Sequence, residues 1–301
     1  MNSIIKSILF VLALIAFPAI ASINLFTCEP EWKSLADEIG GDQIHSFSAT
    51  SGLQDPHHIQ ARPSLIAQVR KADMFICTGA DLEIGWLPLL LRRAGNSQLQ
   101  KGQKGYFMAT RYVRILGKPK MIDRSQGDVH AAGNPHIQTN PKNILPVAKA
   151  LAKRFIEIDP QNASLYQSRL DDFAIRWKAA LKRWKKMTRP LKHLPIVVHH
   201  ASWIYLEDYL KMQQLATLED KPGIPPTSGH LVSILKHMKV RPAKVIIHAA
   251  YQSGKPAQWL ADKTQIPAVK LPFTVGGTEA AKDLFGLYDD TFKRLLETVK
   301  P

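Results

Sequence analysis

Only two cysteines, Cys28 and Cys77, occur in 301 residues, too few for a disulfide scaffold or a Cys-rich zinc module. The short metal signatures Cys-x-x-Cys and His-Glu-x-x-His are absent, so any metal site must be assembled from distant segments. Acidic residues are scarce, 25 against 40 Lys and Arg, for a formal charge of +15. Such an excess first suggests nucleic acid or an anionic membrane. After residue 23, no apolar run is long enough to span a bilayer. With 45% hydrophobic and 22% charged residues, neither disorder nor a fibrous repeat is credible. The length allows one large domain or two of about 130–150 residues, each able to bury a core.

What is present begins with an export signal. Residues 1–21 hold one charge, Lys6, then an apolar run from Ile8 to Ile15, then Ala19-Ile20-Ala21, a small-x-small cleavage pattern. The alternative is an N-terminal membrane anchor, since Ile8 to Ile23 is nearly all apolar. A lipid anchor would need a small residue before a cysteine, and Cys28 follows Phe26-Thr27. The expected mature protein starts near Ser22 and is soluble and exported, which argues against nucleic acid despite the charge.

Beyond the signal, short β-rich runs alternate with helical periodicity. Strands are expected at 23–27, 43–49 and 74–78, with helices at 31–39 and 64–71. The alternation resumes with strands at 195–199, 214–218, 244–248 and 268–271 and helices at 202–210, 232–238 and 257–263. This βαβα pattern predicts parallel sheets covered by helices. Between the halves, a helix from Asn143 is broken at Asp159-Pro160. A longer one follows from about Asn162 to Met187, with Tyr166, Leu170, Phe173, Trp177, Leu181 and Trp184 on one face. At 1.5 Å per residue it would be roughly 40 Å long. Its other face is basic (Arg169, Arg176, Lys178, Lys182, Arg183, Lys185, Lys186), suited to solvent, anionic lipid or an acidic partner. The reading is α/β, two lobes with parallel sheets (22–160 and 190–301) joined by one long rigid helix (161–189). Open α/β sheets bind ligands beyond the carboxyl ends of their strands.

Histidines cluster at those ends. His57 and His58 follow the second strand in Asp55-Pro56-His57-His58. His130 and His136 lie near the turn Gly133-Asn134-Pro135-His136. His199 and His200 end one strand and His248 another. Neutral imidazole is the commonest zinc ligand side chain. Any single histidine is as readily a surface or hydrogen-bonded residue. Cys28 and Cys77 each end an expected strand. If those strands are neighbours, the thiols reach disulfide distance, which an exported protein permits; buried free thiols and zinc ligation are the alternatives. Trp86, Trp203 and Trp259 fall near turns and are expected to pack in the core.

An ordered set of motifs then resembles a known family. It comprises Asp55-Pro56-His57 with Arg62-Pro63-Ser64, Ala72-Asp73 through Thr78-Gly79, Leu82-Glu83 with Trp86-Leu87, Gly127-Asp128-Val129-His130, Gly133-Asn134-Pro135-His136, His200-Ala201-Ser202-Trp203 and Lys221-Pro222-Gly223-Ile224-Pro225-Pro226. Together they are similar to the periplasmic zinc/manganese substrate-binding proteins of ABC importers. The resemblance implies a non-enzymatic, monomeric receptor that hands its metal to a membrane permease driven by an ATPase. It implies His57, His136 and His200 as ligands. Histidine rather than glutamate at the third position resembles the zinc-type members, with Mn(II) the lesser candidate beside Zn(II).

Four departures stand out. The fourth ligand, a carboxylate after Pro272-Phe273-Thr274 in manganese-type members, is expected to be Glu279, with Asp283 or a water next. His248 stands where relatives often carry glutamate. No His-rich loop precedes His136: Leu116 to Gln126 holds no histidine, and His130 alone lies nearby. His58 and His199 adjoin the chosen ligands and are substitutes for them. Two readings of another class compete. One is an exported zinc hydrolase with Glu83 or Glu279 as base; the other is an adhesin or anionic-surface binder with a structural metal.

Overall fold

The computed structural model describes residues 22–119 and 127–299. The expected export signal lies outside the described residues.

The first sheet holds β1 (Ile23–Thr27), β2 (Ile44–Ser48), β3 (Met74–Cys77) and β4 (Tyr106–Met108), in the order β2-β1-β3-β4, all parallel. Its helices are α1 (Pro30–Gly40), α2 (Pro63–Lys71), α3 (Leu87–Ala94) and α4 (Ile144–Ile158). The second sheet repeats the order: β6 (Gln213–Thr217), β5 (Pro195–Val198), β7 (Val245–Ala249), β8 (Ala268–Leu271), again parallel. Around it lie α6 (Ile204–Leu210), α7 (Ser228–Val240), α8 (Lys255–Thr264) and α9 (Leu284–Glu297). The two-lobe α/β architecture expected from the alternation is what forms.

Period-two side-chain alternation explains the layering. In β1, Ile23 and Leu25 face a central core while Phe26 faces an outer one with Leu65, Val69 and Leu90 of α2 and α3. In the second sheet Ile196 and Val198 face the centre, and Val197 and Ile246 face α7 and α8. The central core is continuous through both lobes.

That continuity comes from α5 (Ala163–Met187), 25 residues long, whose apolar stripe buries Tyr166, Leu170, Phe173, Trp177 and Trp184. Trp177 and Trp184 stack edge-on at 5.2 Å, and both meet Tyr288 of α9. The α9 helix returns from the second sheet to pack on α5 and α1. Its Tyr288 hydroxyl donates to the Gln138 carbonyl at 2.5 Å, and Trp177 Nε1 donates to the Pro141 carbonyl at 2.9 Å. The basic face of α5 is exposed at Lys178, Lys182, Lys185 and Lys186. Trp86 and Trp203 are buried, and Trp259 packs half-buried on the outer core of the second sheet.

Parallel pairing of β1 with β3 brings the strand ends at Cys28 and Cys77 side by side. They form a disulfide with Cα atoms 4.8 Å apart, and both residues are fully buried.

Candidate metal centre

The carboxyl ends of the two sheets meet in a cleft. His130, Asn134 and His136 line one side, and His200, Ala201 and Pro222 the other.

His57 sits on the loop after β2. Trp86 Nε1 donates to the Pro56 carbonyl at 2.9 Å and fixes the loop just before the histidine. The His57 amide and Nδ1 both bond Asp55 Oδ1, at 3.0 and 2.7 Å. Burial opposes ionisation of Asp55, yet the His57 hydrogen bonds and charge hold its carboxyl below the usual range. An ionised carboxylate only accepts, so Nδ1 carries the proton and Nε2 keeps its lone pair. That Nε2 is buried without a hydrogen-bond partner.

His200 follows β5, and Glu219 follows its neighbour β6. Adjacent strand ends therefore place the two side by side, with His200 Nδ1 to Glu219 Oε2 at 2.7 Å. The Gly223 amide donates to the same oxygen at 2.8 Å, and His199 Nε2 lies 3.4 Å from Oε1. Burial works against the charge, but the hydrogen bonds of His199 and His200 hold Glu219 down at about 2. The proton again sits on Nδ1, leaving Nε2 free toward the cleft.

His136 is wholly buried, and neither ring nitrogen has a partner. Its turn is built by Asn134, whose Oδ1 accepts from the His136 amide at 3.1 Å and whose Nδ2 donates to Ala201 O at 2.7 Å. The Phe273 ring packs on it at 5.1 Å. Burial, then the neighbouring His57, His200 and His130, push His136 well below the ordinary histidine range. A neutral imidazole with no partner in the interior is costly. A cation is the partner that suits it.

Ring nitrogens of His57, His136 and His200 all lie within 4.8 Å of one another. Nitrogens sharing one tetrahedral zinc stand about 3.4 Å apart, given Zn–N of about 2.0–2.1 Å.

A fourth imidazole lies beside this group of three. His130 stacks on His57 at 5.3 Å and lies edge-on to His136 at 6.2 Å, with Nε2 buried and unpartnered. Burial, then the charge of His57, push it down to about 4. Its segment is pinned where the Asp128 amide donates to Pro222 O at 2.9 Å. A Cβ at Gly127 would stand 2.1 Å from that oxygen, so only glycine fits (φ +86°).

The remaining expected residues lie elsewhere. Glu279 is exposed and outside the cluster. The Gly276 amide donates to Ala281 O at 2.7 Å, closing a tight loop with Glu279 on its outer side. Asp283 is the N-cap of α9, accepting from the Gly286 amide at 2.7 Å. His248 is buried at the end of β7 with Nδ1 3.2 Å from Ala249 O, and His199 shares Glu219; neither belongs to the cluster. His58 is exposed beside Asp128 at 3.6 Å. Glu83, the other candidate base, is buried in the first lobe with both oxygens near the Gly79 amide, at 3.1–3.2 Å. Sequence reasoning did not find the orienting role of Asp55 or Glu219. The available signals were a carboxylate two residues before His57 on the same loop and, for Glu219, a carboxylate just past the strand beside the one that leads into His200.

Replacing Glu219 with Gln tests that orienting role. The isosteric amide no longer enforces the Nδ1–H tautomer of His200, so metal affinity is expected to fall about 10–100-fold with the fold unchanged. Calorimetric titration and far-UV circular dichroism together check this. Unchanged affinity would remove Glu219 from the centre.

A cleft between two parallel sheets, with imidazoles gathered at the strand ends, defines a receptor for a metal cation. The chain belongs to the family described as "Zinc-uptake complex component A periplasmic", whose model matches residues 26–300; these are periplasmic metal-binding substrate-binding proteins of ABC transporters. Among its relatives, the manganese ABC transporter substrate-binding lipoprotein scaA of Streptococcus gordonii is 24% identical over 268 residues, 87% of this chain and 83% of that protein. A putative metal-binding protein of Treponema pallidum is 22% identical over 231 residues, 77% of this chain and 73% of that one. In fold, the chain is similar to a zinc-bound deletion mutant of ZnuA, with TM-score 0.76, 19% identity and coverage of 93% and 100%. It is also similar to the manganese-bound periplasmic metal-binding protein of Candidatus Liberibacter asiaticus, with TM-score 0.73, 16% identity and coverage of 92% and 99%.

Proposed function

We propose that this receptor is of the zinc type, capturing one Zn(II) with His57, His136, His200 and, as fourth ligand in place of Glu279, His130. The observation that carries the reading is the donor set. Ring nitrogens of His57, His136 and His200 lie within 4.8 Å of one another with no carboxylate oxygen in the group, and the ring of His130, its Nε2 buried and partnerless, stacks on His57 at 5.3 Å. Imidazole suits zinc, whereas manganese prefers oxygen and stands lowest in the divalent affinity order. The two carboxylates nearby, Asp55 and Glu219, hold the outer ring nitrogens instead. The loaded receptor presents its metal to a membrane permease, and an ATPase drives uptake. The mature chain from about Ser22 is a soluble monomer of two lobes in the periplasm. Both cysteines are in the disulfide, so neither thiol is left for a lipid.

Titration of demetallated protein with zinc and with manganese at neutral pH tests the proposal. One equivalent of zinc is expected, bound at least about 10³-fold more tightly than manganese. Comparable affinities would favour a manganese receptor, the activity carried by the name of the Streptococcus gordonii relative. The pH profile has a definite sign. Protons compete for the metal-binding nitrogens, so affinity falls with acid. His136 takes up a proton only well below its ordinary range, and His130 at about 4. Their contribution to zinc loss therefore lies well below pH 6.5, on the acid side of ordinary histidines.

A further inference from the structure

Between Asp172 and Glu207 the chain carries eight Lys and Arg and no acidic residue. The stretch covers the second half of α5 and the turn that leads into β5. Two of the eight are neutralised within the fold. Arg176 pairs with Glu38 at 2.5 Å and Asp172 at 2.8 Å, and Arg183 pairs with Asp289 at 2.8 Å. The other six, Lys178, Lys182, Lys185, Lys186, Arg189 and Lys192, are exposed, and none forms an ion pair among the described residues.

Helical geometry gathers them. At about 100° per residue, Lys178, Lys182, Lys185 and Lys186 fall within an arc of about 100°, away from the stripe of Phe173, Trp177 and Trp184. Leu191 and Leu194 are buried and hold the turn that follows, with Arg189 and Lys192 outward. Lys178, Lys182 and Lys186 succeed one another at four-residue spacing, where like charges repel. Asp171 is the acidic residue on that side of the helix, about 10 Å before Lys178, and it accepts from Gln167 instead.

The composition of the face selects its partner. Five of the six cations are lysine, and no aromatic side chain is exposed among them. Protein interfaces are depleted in lysine and anchored by aromatic residues and arginine, so an acidic protein is the poorer fit. A lysine is a point charge on a flexible stem, which suits mobile phosphate headgroups. Clusters of four to eight Lys and Arg on an amphipathic helix are the pattern that anionic lipid attracts.

We propose that this face of α5 docks the receptor reversibly on an anionic lipid bilayer. Docking leaves the metal centre clear. The basic stretch enters β5 at its amino end, and His199 and His200 follow its carboxyl end. The attachment is independent of which metal the centre takes.

The test is co-sedimentation of metal-free and of zinc-loaded protein with vesicles of phosphatidylcholine containing about one-third phosphatidylglycerol. Both forms should bind alike, and vesicles of phosphatidylcholine alone should bind neither. Binding should weaken steeply as salt rises from about 0.01 to about 0.15 M, because the screening length falls from about 30 to about 8 Å. Each basic residue at the surface is worth a factor of about five in partition. The Lys178→Gln, Lys182→Gln, Lys185→Gln, Lys186→Gln protein should therefore partition at least about 10²-fold less than wild type. A control of equal net charge, Lys71→Gln, Lys101→Gln, Lys239→Gln, Lys263→Gln, alters exposed lysines of α2, α7, α8 and the loop before β4. It should lose less than about fivefold. Glutamine matches lysine in helix propensity, and circular dichroism checks that both variants fold. Wild-type protein that ignores anionic vesicles at low salt would overturn the proposal in favour of a solvated face or an acidic protein partner. Equal losses in the two variants would overturn the assignment to α5 and leave only the attraction of the whole charge.

Discussion

Zinc titration of the His136→Ala protein is expected to return an affinity at least about 10²-fold below wild type, while the metal-free variant unfolds no earlier than wild type. The two halves of this result have one cause. Structural zinc sites in small peptides contribute about 10–16 kcal/mol over four ligands, or about 3 kcal/mol per ligand, which is a factor of 10² or more. His136 is the deepest of the rings, and both its nitrogens lack partners. In the metal-free state it is therefore a buried polar group without compensation, costing about 1–3 kcal/mol. Truncation removes that cost and offsets the small cavity it leaves. A residue serving only the core would behave oppositely, with a lower metal-free midpoint and unchanged zinc affinity. His57→Ala and His200→Ala should show similar zinc losses. Each also strands a carboxylate, Asp55 or Glu219, that the imidazole now satisfies.

Removing the bridge between Cys28 and Cys77 by replacing both with alanine is expected to lower stability by about 4 kcal/mol, or roughly 10 °C in midpoint. The cysteines are 49 residues apart, so the bridge closes a long loop and restricts the unfolded chain strongly. Both ends are buried beneath α2 and α3, so the double alanine variant creates no exposed thiol. Thr50 donates its hydroxyl to the Cys28 carbonyl at 2.8 Å, and the His57 loop starts from there. Zinc affinity should change far less than stability, because that hydrogen bond uses backbone that alanine retains. Denaturation curves of oxidised, reduced and double-alanine protein check this. Coincident curves would show that the bridge contributes nothing.

Much of the fold was legible because its strands are short, apolar and bounded by turn residues. The runs at 23–27, 74–77, 195–198 and 268–271 need only tertiary pairing to become sheets. The helix α3 was missed for a physical reason. Leu87-Pro88-Leu89-Leu90-Leu91 has no 3.6-residue period, and its proline reads as a breaker although it sits in the first turn, where proline is tolerated. The strand β4 is three residues long and draws its stability from pairing with β3, which no local pattern reports.

The site divides in the same way. His57, His136 and His200 could be singled out because each follows a strand or a rigid turn. For the fourth partner the sequence offered several candidates, Glu279, Asp283 and His130 among them; in the structure a tight turn holds Glu279 outward and Asp283 caps a helix. His130 is brought beside His57 by the close approach of Gly127 to Pro222, a contact between segments nearly a hundred residues apart. Composition flags basic excess as a possible functional surface, but the centre lies among imidazoles held by Asp55 and Glu219.

Zinc K-edge X-ray absorption of protein loaded with one equivalent tests the convergence of the four rings most directly. The account predicts a shell of about four nitrogens near 2.0–2.1 Å with strong imidazole multiple scattering, reduced by one ring in His130→Ala. A shell dominated by oxygen, or a spectrum unaltered in the combined His57→Ala, His136→Ala, His200→Ala protein, would contradict it.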